Sequence, residues 1–88
     1  MDGYIPMRVK DEVREIFVST LNLEQRRNSL HSNTILLGNI PEFDSMAVIH
    51  LITALEEYFG IMFADDEIIA ETFQTLGSLS ALVERKLR

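Results

Sequence analysis

The stretch from Pro41 to Ile61 (PEFDSMAVIHLITALEEYFGI) constrains this chain more than any other part of it. Pro41 keeps the residue before it extended, so no helix can run through that point, and the next opening for one is Asp44-Ser45. From there Val48, Ile52, Leu55 and Phe59 recur at the 4-3-4 spacing of a single helical face, which Leu51 and Tyr58 widen. Met46, His50, Thr53 and Glu57 repeat on the opposite side and are expected to face outward. Gly60 ends the periodic run. The pattern predicts a helix whose back is core and whose front is free, with Ser45 at its start.

The remainder of the chain supplies material to cover that back. Residues 1–6 carry no pattern and read as a lead-in to a single domain over 7–88. From Met7 to about Leu23 the spacing is again helical, with Val9, Val13, Ile16, Phe17 and Thr20-Leu21 inward and Lys10, Asp11, Glu12, Arg14 and Glu15 outward. Those charges read as a solvated face, since Lys10 with Arg14 and Asp11 with Glu15 pair like with like. Asn22 to Asn39 reads as a long loop in which Leu30, Ile35, Leu36 and Leu37 can reach the core. A loop of that length in a small domain is functional or holds short structure of its own. Ala64-Asp65-Asp66-Glu67 predicts the acidic start of a short helix continuing through Ile68, Ile69 and Ala70. Thr75 is the expected cap of a last helix with Leu76, Leu79, Leu82, Val83 and Leu87 inside. Arg85, Lys86 and Arg88 lie at its C-terminal end, where cations suit the helix dipole. The fold class expected is all-α.

Composition narrows the chemistry. Among 88 residues there is no cysteine, so disulfides and thiolate metal sites are excluded, and a reactive thiol would have to arrive on a cofactor. The net charge is -6, and no Lys or Arg occurs between Asn28 and Glu84. A surface of one sign repels nucleic acid and anionic lipid and attracts basic partners. No apolar run is long enough for a membrane span, and the start lacks the basic and apolar regions of a signal peptide, so a cytoplasmic location is expected. His31 and His50 have no partners at metal-ligand or catalytic spacing. The acids at 65–67 do not alternate as calcium ligands do. Neither catalytic nor metal-binding residues are assigned.

Read locally, Ser45 is an ordinary helix cap, its hydroxyl accepting from a backbone N–H two or three residues on, or Asp44 is the cap and the serine hydroxyl is left exposed. The wider stretch says more. Asp44-Ser45-Met46, followed at a set distance by Leu55-Glu56-Glu57-Tyr58-Phe59-Gly60-Ile61, resembles the prosthetic-group helix of acyl carrier proteins. Thr72 to Leu79 resembles that family's lead-in to its last helix. The likeness covers roughly Met7 to Leu87. It implies a small four-helix bundle of three main helices and one short one, with a long first loop delivering the serine. It further implies a chain that is not an enzyme. Ser45, flanked by Asp44 and Met46, would carry a covalent 4'-phosphopantetheine donated by coenzyme A, and the arm's thiol would hold an acyl group. The partners implied are a phosphopantetheinyl transferase, an acyl-loading ligase or acyltransferase, and downstream acyl-processing enzymes, met by a monomer through His50, Glu56 and Glu57.

The departures from the family pattern are specific. Fatty-acid-synthesis members usually place acids two and five positions after the serine, and here Ala47 and His50 stand there. That points to a dedicated secondary or polysaccharide-linked pathway rather than the housekeeping one. A peptidyl or aminoacyl carrier usually has Gly-Gly before the Asp/His-Ser dipeptide, where this chain has Glu42-Phe43. An acidic helical interaction module that kept the fold without the modification is the alternative from another class.

Overall fold

A computed structural model describes residues 8–88; the sequence-based lead-in over 1–6 lies outside them. Three long helices carry the fold: α1 (Val9–Leu21), α2 (Ser45–Phe59) and α3 (Leu76–Lys86), with short 3-10 segments at Glu24–Ser29 and Asp65–Glu67. Helix α1 is the common neighbour, packing against both α2 and α3. This double role explains why Val18 is fully buried although it lies off the single face read from spacing; with Val13, Phe17 and Leu21 it covers two partners rather than one. Leu51, Ile52 and Leu55 of α2 and Leu76, Leu79, Leu82 and Val83 of α3 complete the core.

Helix ends follow local chemistry. Asn22 closes α1 in the left-handed region (φ 58°), which asparagine tolerates, and Leu23 N–H then donates to the Val18 carbonyl at 2.9 Å. Gly60 does the same for α2 at φ 68°. Thr75 caps α3 as expected: its hydroxyl accepts from Ser78 N–H at 3.0 Å while Ser78 Oγ accepts from Thr75 N–H at 3.1 Å.

The long loop holds structure of its own, the 3-10 helix Glu24–Ser29, and it is tied at both ends. Arg27 Nε donates to both carboxylate oxygens of Glu15, at 2.9 and 3.0 Å, so one acid of the α1 face expected to be merely solvated is a latch for the loop. Further on, the loop forms a backbone seam with the start of α3. Leu36 N–H donates to Gln74 O at 2.8 Å, Leu76 N–H to Thr34 O at 3.3 Å, and Gly77 N–H to Ser32 O at 2.6 Å. A Cβ at Gly77 would lie 2.8 Å from the Ser32 carbonyl oxygen, so only glycine permits this approach. Of the four apolar anchors expected, Leu30 and Leu36 are buried. Ile35 and Leu37 are not, because the seam at Ile35 and Thr75 uses the backbone and turns the flanking side chains outward.

Two further expectations are corrected. Tyr58 does not widen the inner face of α2; it is 61% exposed and meets Phe59 edge-on at 4.8 Å. The short helix through Ile68 to Ala70 is a three-residue 3-10 turn over Asp65–Glu67. Glu67 reaches back to Ala64 N–H at 2.8 Å, and the Thr72 hydroxyl donates to the Glu67 carbonyl at 2.7 Å. These side-chain bonds replace the backbone bonds that a longer helix would make.

Candidate functional site

The approach to α2 is fixed from both sides. Phe43 is buried to 4% exposure, meeting Phe17 edge-on at 5.2 Å and Phe73 at 6.2 Å. Glu42, the residue before it, is exposed and pairs with Arg26 at 2.9 Å. The next residue, Asp44, is the cap: its Oδ1 accepts from Ala47 N–H at 2.9 Å, and its carbonyl accepts from Val48 N–H at 2.9 Å. Of the two capping options open in the sequence, the structure takes the aspartate. Ser45 is therefore the first helical residue, exposed, and its hydroxyl has no hydrogen-bond partner among the described residues.

That placement gives Ser45 two properties. Its hydroxyl oxygen is open to solvent. The first-turn N–H groups at Ser45 and Met46, which no residue four positions back can satisfy, and the positive end of the helix dipole favour a phosphate beside it. An open groove of about 610 Å³ includes Ser45 and Asp44 in its lining, and its other walls are apolar, among them Leu37, Val48, Ile49, Ile68, Ile69 and Phe73. A phosphodiester on the serine with a flexible arm lying along an apolar groove fits these residues.

The sequence-assigned residues fall as follows. Met46, His50 and Glu57 are exposed on α2, as the periodicity implied. Glu56 is half-buried, and its Oε2 accepts from Phe63 N–H at 2.9 Å, which ties the chain after Gly60 back to α2. Spacing gave no hint of that bond. The groove wall of Leu37, Ile49, Ile68 and Ile69 was also missed. Its one signal in the sequence is negative: these are large apolar side chains that no periodic face absorbs.

The wall opposite α2 is anchored to α3. Lys86 Nζ lies 2.7 Å from Glu67 Oε1 and 5.9 Å from the centre of the Phe63 ring. The hydrogen bond from Lys86, with Ala64 N–H as second donor, holds the Glu67 carboxyl below its ordinary range. No group of three or more potential metal ligands occurs among the described residues, and no helix there is long and apolar enough to cross a membrane.

Comparison with known proteins gives the same picture from outside. The profile of the family described as the phosphopantetheine attachment site matches residues 11–83. The solution NMR structure of a holo acyl carrier protein from Nitrosomonas europaea is similar, with a TM-score of 0.85 and 56% identity over 92% of this chain and 98% of that one. No curated protein sequence matches the chain.

Proposed function

Since this chain belongs to the acyl carrier proteins, a family of phosphopantetheine-attachment domains, we propose that Ser45 is the residue that bears its arm and that the carrier serves a dedicated pathway. A carrier is not an enzyme. Its covalent 4'-phosphopantetheine supplies the thiol that a cysteine-free chain lacks, and tethering raises the effective concentration of the cargo at each partner's active site. The observation that carries the assignment to Ser45 is the division of labour at the helix start. Asp44 does the capping, and the adjacent serine hydroxyl is left exposed and unbonded at the positive end of α2.

The dedicated pathway, a secondary or polysaccharide-linked one, is supported by the non-acidic side chains two and five positions after the serine. Ala47 is half-buried and His50 exposed, where housekeeping relatives usually present acids. His50 and Glu57 stand on the outward face offered to partners. Glu56, occupied by Phe63 N–H, has less to offer them.

The test is intact mass before and after incubation with coenzyme A and a broad-specificity phosphopantetheinyl transferase, with Ser45→Ala alongside. The expected result is a gain of one phosphopantetheine in the wild type and none in the variant. Folded wild-type protein that gains nothing would sink the assignment.

A further inference from the structure

Ser45 and Tyr58 stand at opposite ends of the 15-residue α2, about 20 Å apart along its axis. The Tyr58 end has a groove of its own, of about 390 Å³, between α2 and an outward stripe of α1. Glu12, Glu15, Ile16 and Ser19 line it from α1 at the spacing of one helical face, with Arg27 from the loop and Tyr58 from α2. Tyr58 is 61% exposed, and Phe59, edge-on at 4.8 Å, supports its ring. Arg27 Nε is committed to both carboxylate oxygens of Glu15, and Glu12 is the other acid of the lining. Glu57, exposed beside Tyr58 on the last turn of α2, adds to the negative charge there. None of these residues lines the groove at Ser45.

We infer that this groove is a separate interaction surface, for a protein segment that presents an arginine next to an aliphatic side chain. The guanidinium lies over the Tyr58 ring and pairs with the Glu12 carboxylate, and the aliphatic group meets Ile16. A planar, weakly hydrated guanidinium suits a tyrosine face and a carboxylate at once, whereas a compact, strongly hydrated ammonium gives up more water on entering. A tyrosine standing in a partly apolar recess is the kind of residue that carries binding at interfaces. A partner seated here leaves the other end of α2 uncovered, so one protein can hold the chain while Ser45 stays free. The inference goes beyond the reading of Ser45 and does not depend on it.

The probe is the tripeptide acetyl-Arg-Leu-Arg-amide, titrated into the isotope-labelled full chain at about 50 mM NaCl and followed by amide NMR shifts. Peptides with lysine or glutamate in place of arginine run alongside. The shifts are expected to concentrate at residues 12–19, 27 and 57–59, with the lysine peptide about threefold weaker and the glutamate peptide without effect. Tyr58→Ser should weaken binding about fivefold and Glu12→Gln about twofold, while Ser45→Ala binds like wild type. Tyr58 is exposed and Glu12 lies on the outward side of α1, so helicity by circular dichroism is expected to be unchanged in all three variants. Shifts spread evenly over the acids at 65–67, a Tyr58→Ser variant that binds like wild type, or equal binding of the lysine peptide would overturn the inference. Concentration-dependent shifts of the same amides without peptide would also overturn it, by giving the groove to a second copy of the chain.

Discussion

Phe17 of α1 and Phe43, two residues ahead of Ser45, meet edge to face at 5.2 Å with an interplanar angle of 74°. The contact fixes where α2 begins relative to the rest of the core. Deleting the Phe43 ring leaves a cavity among Phe17, Phe73 and the start of α2, and Phe43→Ala should cost about 3–5 kcal/mol. That is a large share of the roughly 5–15 kcal/mol available to a small domain. Phe43→Leu, which keeps most of the volume, should cost under about 1.5 kcal/mol. Urea unfolding followed by far-UV circular dichroism separates the two. Equal losses would show that the ring itself is not what anchors the helix start.

Asp44→Ala removes the acceptor for Ala47 N–H and should destabilise the domain by about 1 kcal/mol, with a fall in Tm of about 4–8 °C. Asp44→Asn keeps an acceptor oxygen and should stay close to wild type. Thermal melts of the three proteins check this, and an asparagine variant as weak as the alanine one would point to the charge rather than the bond.

At Gly77, an added methyl group meets the Ser32 backbone and not a yielding side-chain tip. Gly77→Ala should therefore cost about 1–3 kcal/mol despite alanine's better helix propensity. Hydrogen exchange at the Leu36, Leu76 and Gly77 amides should rise with it. A variant as stable as wild type, with those amides still protected, would refute the packing argument.

Stability should fall in acid partly through Glu67. Its folded pKa lies below the unfolded one, so the folded state binds fewer protons in that range. The contribution is present above the ordinary glutamate pKa of 4.5 and is lost as pH drops through the lowered folded value. Lys86→Met removes the main cause of the shift while keeping an apolar stem near Phe63. Urea midpoints from neutral pH down to about pH 3.5 should converge for the variant and wild type as pH falls. A gap that is constant with pH would show that the ion pair does not contribute.

Much of this was legible in the sequence because it is local. The 4-3-4 spacing of Val48, Ile52, Leu55 and Phe59, the Gly60 stop, and the Thr75 cap all act within one or two turns. The apolar residues without a periodic home were harder. Ile49, Ile68 and Ile69 border a groove that exists only when α2 and the segment after Glu67 are brought together. Val18 was missed because one helix packs two neighbours, and Tyr58 was misplaced because its ring lies edge-on to Phe59 at the surface instead of entering the core. Ion pairs between residues distant in the chain, such as Glu15 with Arg27 and Glu67 with Lys86, leave no trace in spacing.

The seam between residues 32–36 and 74–77 also bears on how the chain comes together. It joins the middle of the long loop to the beginning of the last helix, so the segment that delivers Ser45 is stitched down by residues synthesised after α2. A nascent chain that has emerged only through Phe59 already holds the serine and its helix, yet lacks the strip that sets the serine's approach. On the proposed reading of Ser45, the approach that a modifying enzyme would meet is therefore complete only once residues 74–77 are in place.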